Sequence, residues 1–313
     1  MITVIQQGFF TTVQDEGRWG YQAYGMPTAG VMDRYAGRIV NLLAGNEVRA
    51  SVLEMTSLGA VLKFDEERLV AVGGADMQVT VNGITVPNWS AFLVPRNGEV
   101  QFGEAVTGYR AYLAVQGGID VPLVLGSRST CVKAGVGGYE GRPLRQGDVL
   151  YVGQAGEGAA RPQSLASDYI PSYGGKVSIR VMLGPQQDMF SEEAIATFFA
   201  KPYKVTKQAD RVGYRLTGSR ILPVSKADII SDAVYQGSIQ IASHGMPFIM
   251  LADHQTTGGF AKLGYVVRSD LSKVVQTKTG DSIRFCCVSE AEAIVALHAE
   301  QQLYQTIATA LRA

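Results

Sequence analysis

The sequence predicts a mainly β protein with a few helices: two successive β-rich halves followed by a C-terminal helix. Three observations lead there. Gly is abundant, at 36 of 313 residues, and Val and Thr recur in short runs, a composition that favours many short strands joined by turns. A polar, aperiodic break over residues 153–175, holding Gly156, Gly158, Ser164, Ser167, Pro171, Ser172 and Gly174, reads as a linker. Near the end, Ser289-Glu-Ala-Glu292 is a capping box, which pairs a Ser hydroxyl and a Glu carboxylate with the first N–H groups of a helix.

The elements follow in order. Ile2–Gln6 alternates as a strand does. Residues 32–43 read as a helix with Ile39, Leu42 and Leu43 on its apolar stripe, stopped by Gly45 and Asn46. Strands are expected at 69–72, 77–81, 91–94, 109–115 and 148–152, with Asn82-Gly83 as a hairpin signal. A strand over 177–183 opens the second half, and Ser191 caps a helix, Glu192–Ala200. Further strands are expected at Ser238–Ile241, 248–251 and 282–288. In the C-terminal helix, Ile294, Leu297, Tyr304, Ile307 and Leu311 share one face, which suits packing on a barrel.

The halves echo one another. Gly25-Met-Pro27 recurs as Gly245-Met-Pro247, and the Gly-Asp of 147–148 recurs at 280–281. Two copies of one β-barrel account for this. So does chance reuse of turn chemistry, and the echoes alone do not separate the two.

Composition narrows the functional classes. With 28 basic against 28 acidic side chains, no charge excess points to nucleic acid or an acidic membrane. No apolar run reaches the roughly 18 residues a membrane helix needs, and the N-terminus lacks the features of a signal peptide. Cys131, Cys286 and Cys287 form no disulfide framework. A cytoplasmic protein with reduced thiols is expected.

The stretch Leu251-Ala-Asp-His-Gln-Thr-Thr-Gly-Gly-Phe-Ala-Lys-Leu-Gly264 is the most distinctive. Its glycines have the spacing of a nucleotide phosphate loop, but Tyr265 and Val266 stand where Lys and Ser/Thr are required. His244, His254 and His298 show no zinc-ligand spacing, so no metal site is expected. No nucleophile elbow appears. Gly126-Ser-Arg-Ser-Thr130 suits either anion recognition through the Arg128 fork or an exposed turn. The clusters Thr11-Thr-Val-Gln-Asp-Glu-Gly-Arg18 and Ala209-Asp-Arg-Val-Gly-Tyr-Arg-Leu216 read as charged turns when taken singly.

Taken together, these pieces carry a resemblance. Thr11-Thr-Val-Gln-Asp15 with Gly17-Arg18, Met32-Asp33, Leu53-Glu54, Tyr112-Leu-Ala-Val-Gln-Gly-Gly118, Gly126-Ser-Arg-Ser-Thr130, Gly184-Pro-Gln-Gln-Asp188, Asp210-Arg-Val-Gly213 and Gln255-Thr-Thr-Gly-Gly259 occur in one order along nearly the whole chain. In this ordered set the sequence resembles the carboxyltransferase-like family, also called the allophanate hydrolase subunit 2 family. The resemblance implies two cyclophilin-like β-barrel domains in tandem, over residues 1–160 and 176–290, with a C-terminal helix over 290–313 packed on the barrels.

The resemblance also implies a reaction: ATP-dependent opening of 5-oxoproline to glutamate, with ATP and magnesium serving as co-substrate. It implies partners as well, the B subunit of 5-oxoprolinase in a tight complex and the A subunit beside it. An alternative within the family is carboxyl transfer from carboxybiotin held on a separate carrier, as in urea carboxylase. A third is a non-catalytic regulatory partner of the B subunit. The candidate catalytic residues are Asp253, Gln255, Thr256 and Thr257. Gln255 would donate and accept at a planar amide edge, the Thr hydroxyls would orient it, and Asp253 would orient a donor or act as a base. Gly258 and Gly259 would let backbone N–H groups approach the ligand. Arg18, Arg128 and Ser129, supported by Gln14 and Asp15, are the candidate anion-binding set. One departure stands out: the family continues the Gln-Thr-Thr-Gly-Gly motif with Tyr-Pro, whereas this sequence has Phe260-Ala261. Loss of the Pro frees the backbone there.

Overall fold

The computed structural model describes residues 1–155, 161–225 and 228–311; positions 156–160 of the expected linker, positions 226–227 and the last two residues lie outside them. The described residues form two compact units. One comprises residues 1–19, 29–173 and 304–313, the other residues 20–28 and 174–303. The sequence suggested contiguous domains, and neither the placement of 20–28 nor the division of the C-terminal helix between the units is visible in it.

The first unit is antiparallel throughout. One sheet orders its strands as Ile119–Asp120, Val149–Val152, Ile2–Gln6, Val61–Phe64, Glu99–Gln101, Thr80–Val81 and Ile84–Thr85. The other runs Gln163–Ser164, Ser90–Val94, Arg68–Asp76, Thr107–Val115, Val52–Thr56 and Phe10–Gln14. Alternate residues of both sheets, among them Ile2, Val4, Leu53, Leu62, Val70, Leu113 and Leu150, enclose one apolar core. The helix Arg34–Leu43 lies on the six-stranded sheet. It begins two residues later than expected because Asp33 caps it, its side chain accepting from the Ala36 N–H at 3.0 Å. At the expected hairpin, Thr80–Val81 pairs with Ile84–Thr85. Asn82 and Gly83 both have positive φ, 50° and 81°, as the tight primed turn requires. The strand expected over 77–81 shortens to Thr80–Val81, since Gln78 also has a positive φ of 49°.

The second unit holds a closed barrel. Its strands follow the order Lys176–Leu183, Lys262–Val266, Ser238–Ile241, Pro247–Met250, Gly213–Thr217, Tyr203–Ala209 and Ser282–Cys287. The last closes on the first in parallel; the other pairings are antiparallel. Ile179, Val181, Val205, Leu216, Ile239, Ile249, Leu263 and Ile283 are fully or almost fully buried. The helix Glu192–Ala200, capped by Ser191 as expected, stacks Phe198 on Phe285 with centroids 4.5 Å apart. A two-stranded ribbon, Asp228–Ala233 with Thr257–Phe260, adds to the barrel.

The helix Glu290–Ala310 starts with the expected capping box: Ser289 N–H donates to Glu292 at 2.7 Å and Glu292 N–H donates to the Ser289 hydroxyl at 3.3 Å. Its buried stripe is set one residue away from the expected one at its start. Ala293 and Ala296 are buried against Val267, while Ile294 is 45% exposed. Small residues allow the closer approach there, which a stripe drawn from large apolar side chains does not capture.

Candidate functional site

Strand alternation builds the site on the second unit. In Ser238–Ile241, Ile239 and Ile241 fill the barrel and Gln240 faces the other way, where the ribbon strand Thr257–Phe260 covers it and leaves it 1% exposed. In Pro247–Met250, Ile249 is inward and Phe248 outward; in Gly213–Thr217, Tyr214 and Leu216 are inward and Arg215 outward. The register places these three outward residues side by side: Gln240 opposite Phe248, and Phe248 opposite Arg215. They form one wall of a groove of about 1070 Å³, which Lys207, His244 and Gln255 also line. The Arg215 guanidinium carbon sits 5.3 Å from the Phe248 ring centroid, a cation–π distance. The Gln240 amide nitrogen donates to the Phe260 carbonyl at 3.3 Å, which fixes the amide plane.

Two motif glycines make room for that wall. A Cβ on Gly213 would lie 2.6 Å from the Phe248 ring and 2.5 Å from the Ile249 carbonyl. A Cβ on Gly258 would lie 2.7 Å from the Gln240 amide nitrogen. The Asp210-Arg-Val-Gly213 and Gln255-Thr-Thr-Gly-Gly259 motifs are therefore parts of one construction. Arg211 and Asp253 join them directly in a buried two-point ion pair, at 2.9 and 3.0 Å.

The stretch 253–259 is less of a free loop than its sequence suggests. Thr257, Gly258 and Gly259 belong to the ribbon strand, and the Thr256 carbonyl accepts from the Val234 N–H at 2.9 Å. Gln255 reaches the groove; Thr257 is exposed on the ribbon. Asp253 has both carboxylate oxygens held by Arg211, which suits an orienting role better than that of a base. His254 is buried, and its ring Nδ1 lies 2.6 Å from the Gln255 carbonyl. Burial lowers its pKa. The neutral ring therefore carries its proton on Nδ1 and donates it to that carbonyl, fixing the backbone of Gln255.

The candidate anion-binding residues lie in the first unit, where each is engaged by other groups of the chain. Asp15 ties down the 127–129 turn: its carboxylate accepts from the Ser127 hydroxyl and the Arg128 N–H, each at 2.6 Å, and from the Ser129 hydroxyl. Gln14 donates to Thr12 at 2.9 Å and to the Thr130 carbonyl at 3.1 Å. Arg18 donates to the Ser129 carbonyl. Gln14, Arg18 and Ser129 are fully buried, and Arg128 is engaged by Asp120 at 3.2 Å and the Val121 carbonyl at 2.9 Å. These contacts hold two chain segments together.

The same unit gathers three other motif pieces into a buried knot. Tyr112 donates to Glu54 at 2.8 Å and accepts from the Asp33 N–H at 2.8 Å, and Met32 N–H donates to the same Glu54 oxygen at 2.7 Å. Burial first, then the Glu54 and Asp33 carboxylates, push the Tyr112 phenol well above its ordinary pKa, so it stays a donor. The sequence signal was available: Glu54 is a carboxylate in the middle of the strand Val52–Thr56, every residue of which is buried.

Magnesium-bound ATP needs a phosphate cradle and metal-holding carboxylates. Among the described residues no group of three or more His, Cys, Asp or Glu is placed to hold a metal. Lys262, between the spaced glycines, is 1% exposed and pairs its ammonium with Asp232 at 2.7 Å. Among the described residues, then, neither a cluster of three metal ligands nor an uncommitted lysine at the spaced glycines marks a triphosphate site. Among them, too, no helix is long and apolar enough to cross a membrane.

Fold and groove define a mainly β chain with a ligand-sized groove on the wall of a barrel. Residues 24–287 match the carboxyltransferase domain family, subdomains A and B, and the chain belongs to that family. It is 32% identical to the 5-oxoprolinase C subunit of Escherichia coli strain K12 over 98% of both chains. It is 34% identical to urea amidolyase of Saccharomyces cerevisiae over 92% of this chain and 17% of that one. The crystal structure of the Kluyveromyces lactis urea amidolyase superposes with a TM-score of 0.93 at 32% identity, covering 98% of this chain and 20% of that one. The chain thus spans about a fifth of the length of that solved relative.

Proposed function

We propose that this chain serves as the C subunit of an ATP-hydrolysing 5-oxoprolinase, working with a B and an A subunit to open 5-oxoproline to glutamate in the cytoplasm. The observation that carries the reading is the match to the E. coli C subunit over 98% of both chains, and the groove chemistry agrees with it. A lactam is a planar amide, and Gln255, which lines the groove, offers a donor and an acceptor to such an edge. The Arg211–Asp253 pair and the His254 contact hold the Gln255 backbone in place, and Thr256 and Thr257 continue it into the ribbon. ATP, bound elsewhere in the complex, supplies the energy for ring opening.

A second reading has its own support. The urea amidolyase relatives are as similar as the oxoprolinase one, at 34% identity, and carboxybiotin also presents a planar amide-like group. Reconstitution separates the two. The A and B subunits, ATP and 5-oxoproline, assayed with and without this chain, should release glutamate only when it is present. Equal glutamate release without it rejects the role. Carboxyl transfer from carboxybiotin, with no lactam opening, moves the chain to the second reading.

A further inference from the structure

We infer that Arg215, Phe248 and Gln255 form the seat of a flat, amide-bearing ring that carries a carboxylate, with the carboxylate on Arg215, the ring along the edge of Phe248 and the amide edge toward Gln255. The choice of 5-oxoproline as its probe rests on the reading above.

Three neighbouring strands place a guanidinium, an aromatic ring and a primary amide in one row, the amide of Gln240 buried at its end. At about 4.8 Å per strand, the outer two positions are roughly 10 Å apart. That span suits a five-membered ring with an acid group on one side and a carbonyl on the other.

Each member is also prepared for its part. Phe248 holds the Arg215 guanidinium at 5.3 Å, which orders an otherwise mobile fork that matches a carboxylate at two points. Among the described residues no carboxylate pairs with Arg215. Two nearby acids that could compete are committed: Asp210 accepts from the Val212 and Gly213 N–H groups at 2.8 and 3.1 Å, and Asp253 is held by Arg211. Lys207 adds a second positive charge to the lining. The groove is thus set for an anion, while Gly213 and Gly258 keep the ring and the amide of the wall where they are.

Ligand-observed NMR on the full chain tests the seat with three probes: 5-oxoproline, 2-pyrrolidone, which is the same lactam without its carboxylate, and biotin. Arg215 is exposed, so Arg215→Ala and Arg215→Lys should fold normally, with an unchanged circular dichroism spectrum as the check. The expected result is binding of 5-oxoproline that weakens about tenfold or more in Arg215→Ala, less in Arg215→Lys, with 2-pyrrolidone weak in all three. Arg215-dependent binding of biotin but not of 5-oxoproline would support the seat and remove the oxoprolinase reading. The seat is overturned if Arg215→Ala binds as the wild type does, if 2-pyrrolidone binds as well as 5-oxoproline, or if no probe binds.

Discussion

Arg211 and Asp253, 42 residues apart, hold each other through two hydrogen bonds of 2.9 and 3.0 Å, with their side chains 6% and 5% exposed. The pair fixes the entrance to Gln255 against the strand that carries Arg215. Removing one partner leaves a buried charge uncompensated, at a cost of about 3–5 kcal/mol. Asp253→Ala should therefore lose that much stability in urea unfolding of the chain. The double variant Arg211→Met/Asp253→Leu should recover most of it. A loss below about 1 kcal/mol in Asp253→Ala would show that the pair is not needed.

Tyr112 gives the first unit a comparable test. Tyr112→Phe keeps the ring and removes the hydroxyl that donates to Glu54 and accepts from Asp33. With those groups left buried, unfolding should show a loss of about 1–3 kcal/mol. A change within about 0.5 kcal/mol would mean that water replaces the hydroxyl at this depth.

Gly258→Ala brings a Cβ to 2.7 Å from the Gln240 amide nitrogen, the far end of a flexible side chain. The amide should yield, at about 1–2 kcal/mol of stability. In the assembled complex, KM for 5-oxoproline should rise while the chain stays folded. An unchanged KM would show that the position of Gln240 does not matter to substrate.

The pH dependence follows from His254. Burial lowers its pKa from 6.5, so near neutrality the folded ring is uncharged. Below pH 6.5 the unfolded chain takes up a proton that the folded chain does not. The stability associated with the neutral ring is fully present above pH 6.5 and is lost as pH falls through the lowered folded pKa. His254→Gln should flatten the stability profile across that interval. The same slope in both proteins would show that His254 is not the group responsible.

Much of the fold was readable where chemistry is local. The Ser191 cap, the Asn82-Gly83 turn and the Ser289–Glu292 capping box need only neighbouring residues, and each formed as expected. Strands such as Phe10–Gln14 and Val52–Thr56 were missed because burial on both faces erases alternation. The candidate site was legible only in part. The Gln255-Thr-Thr-Gly-Gly259 motif stood out, but its neighbours Gln240, Phe248 and Arg215 meet through strand register, which one sequence does not disclose. The partners of Arg18 and Arg128, namely Ser129, Asp120 and Val121, were not legible for a related reason: they meet within the first unit across stretches of chain that one sequence does not bring together.

The most direct test is the initial rate of glutamate formation by the chain assembled with the A and B subunits, measured against 5-oxoproline concentration for wild type and Arg215→Ala. If the groove seats the substrate, wild type turns over and Arg215→Ala raises KM about tenfold or more with kcat changed far less. Wild-type turnover with the same KM in Arg215→Ala would contradict it.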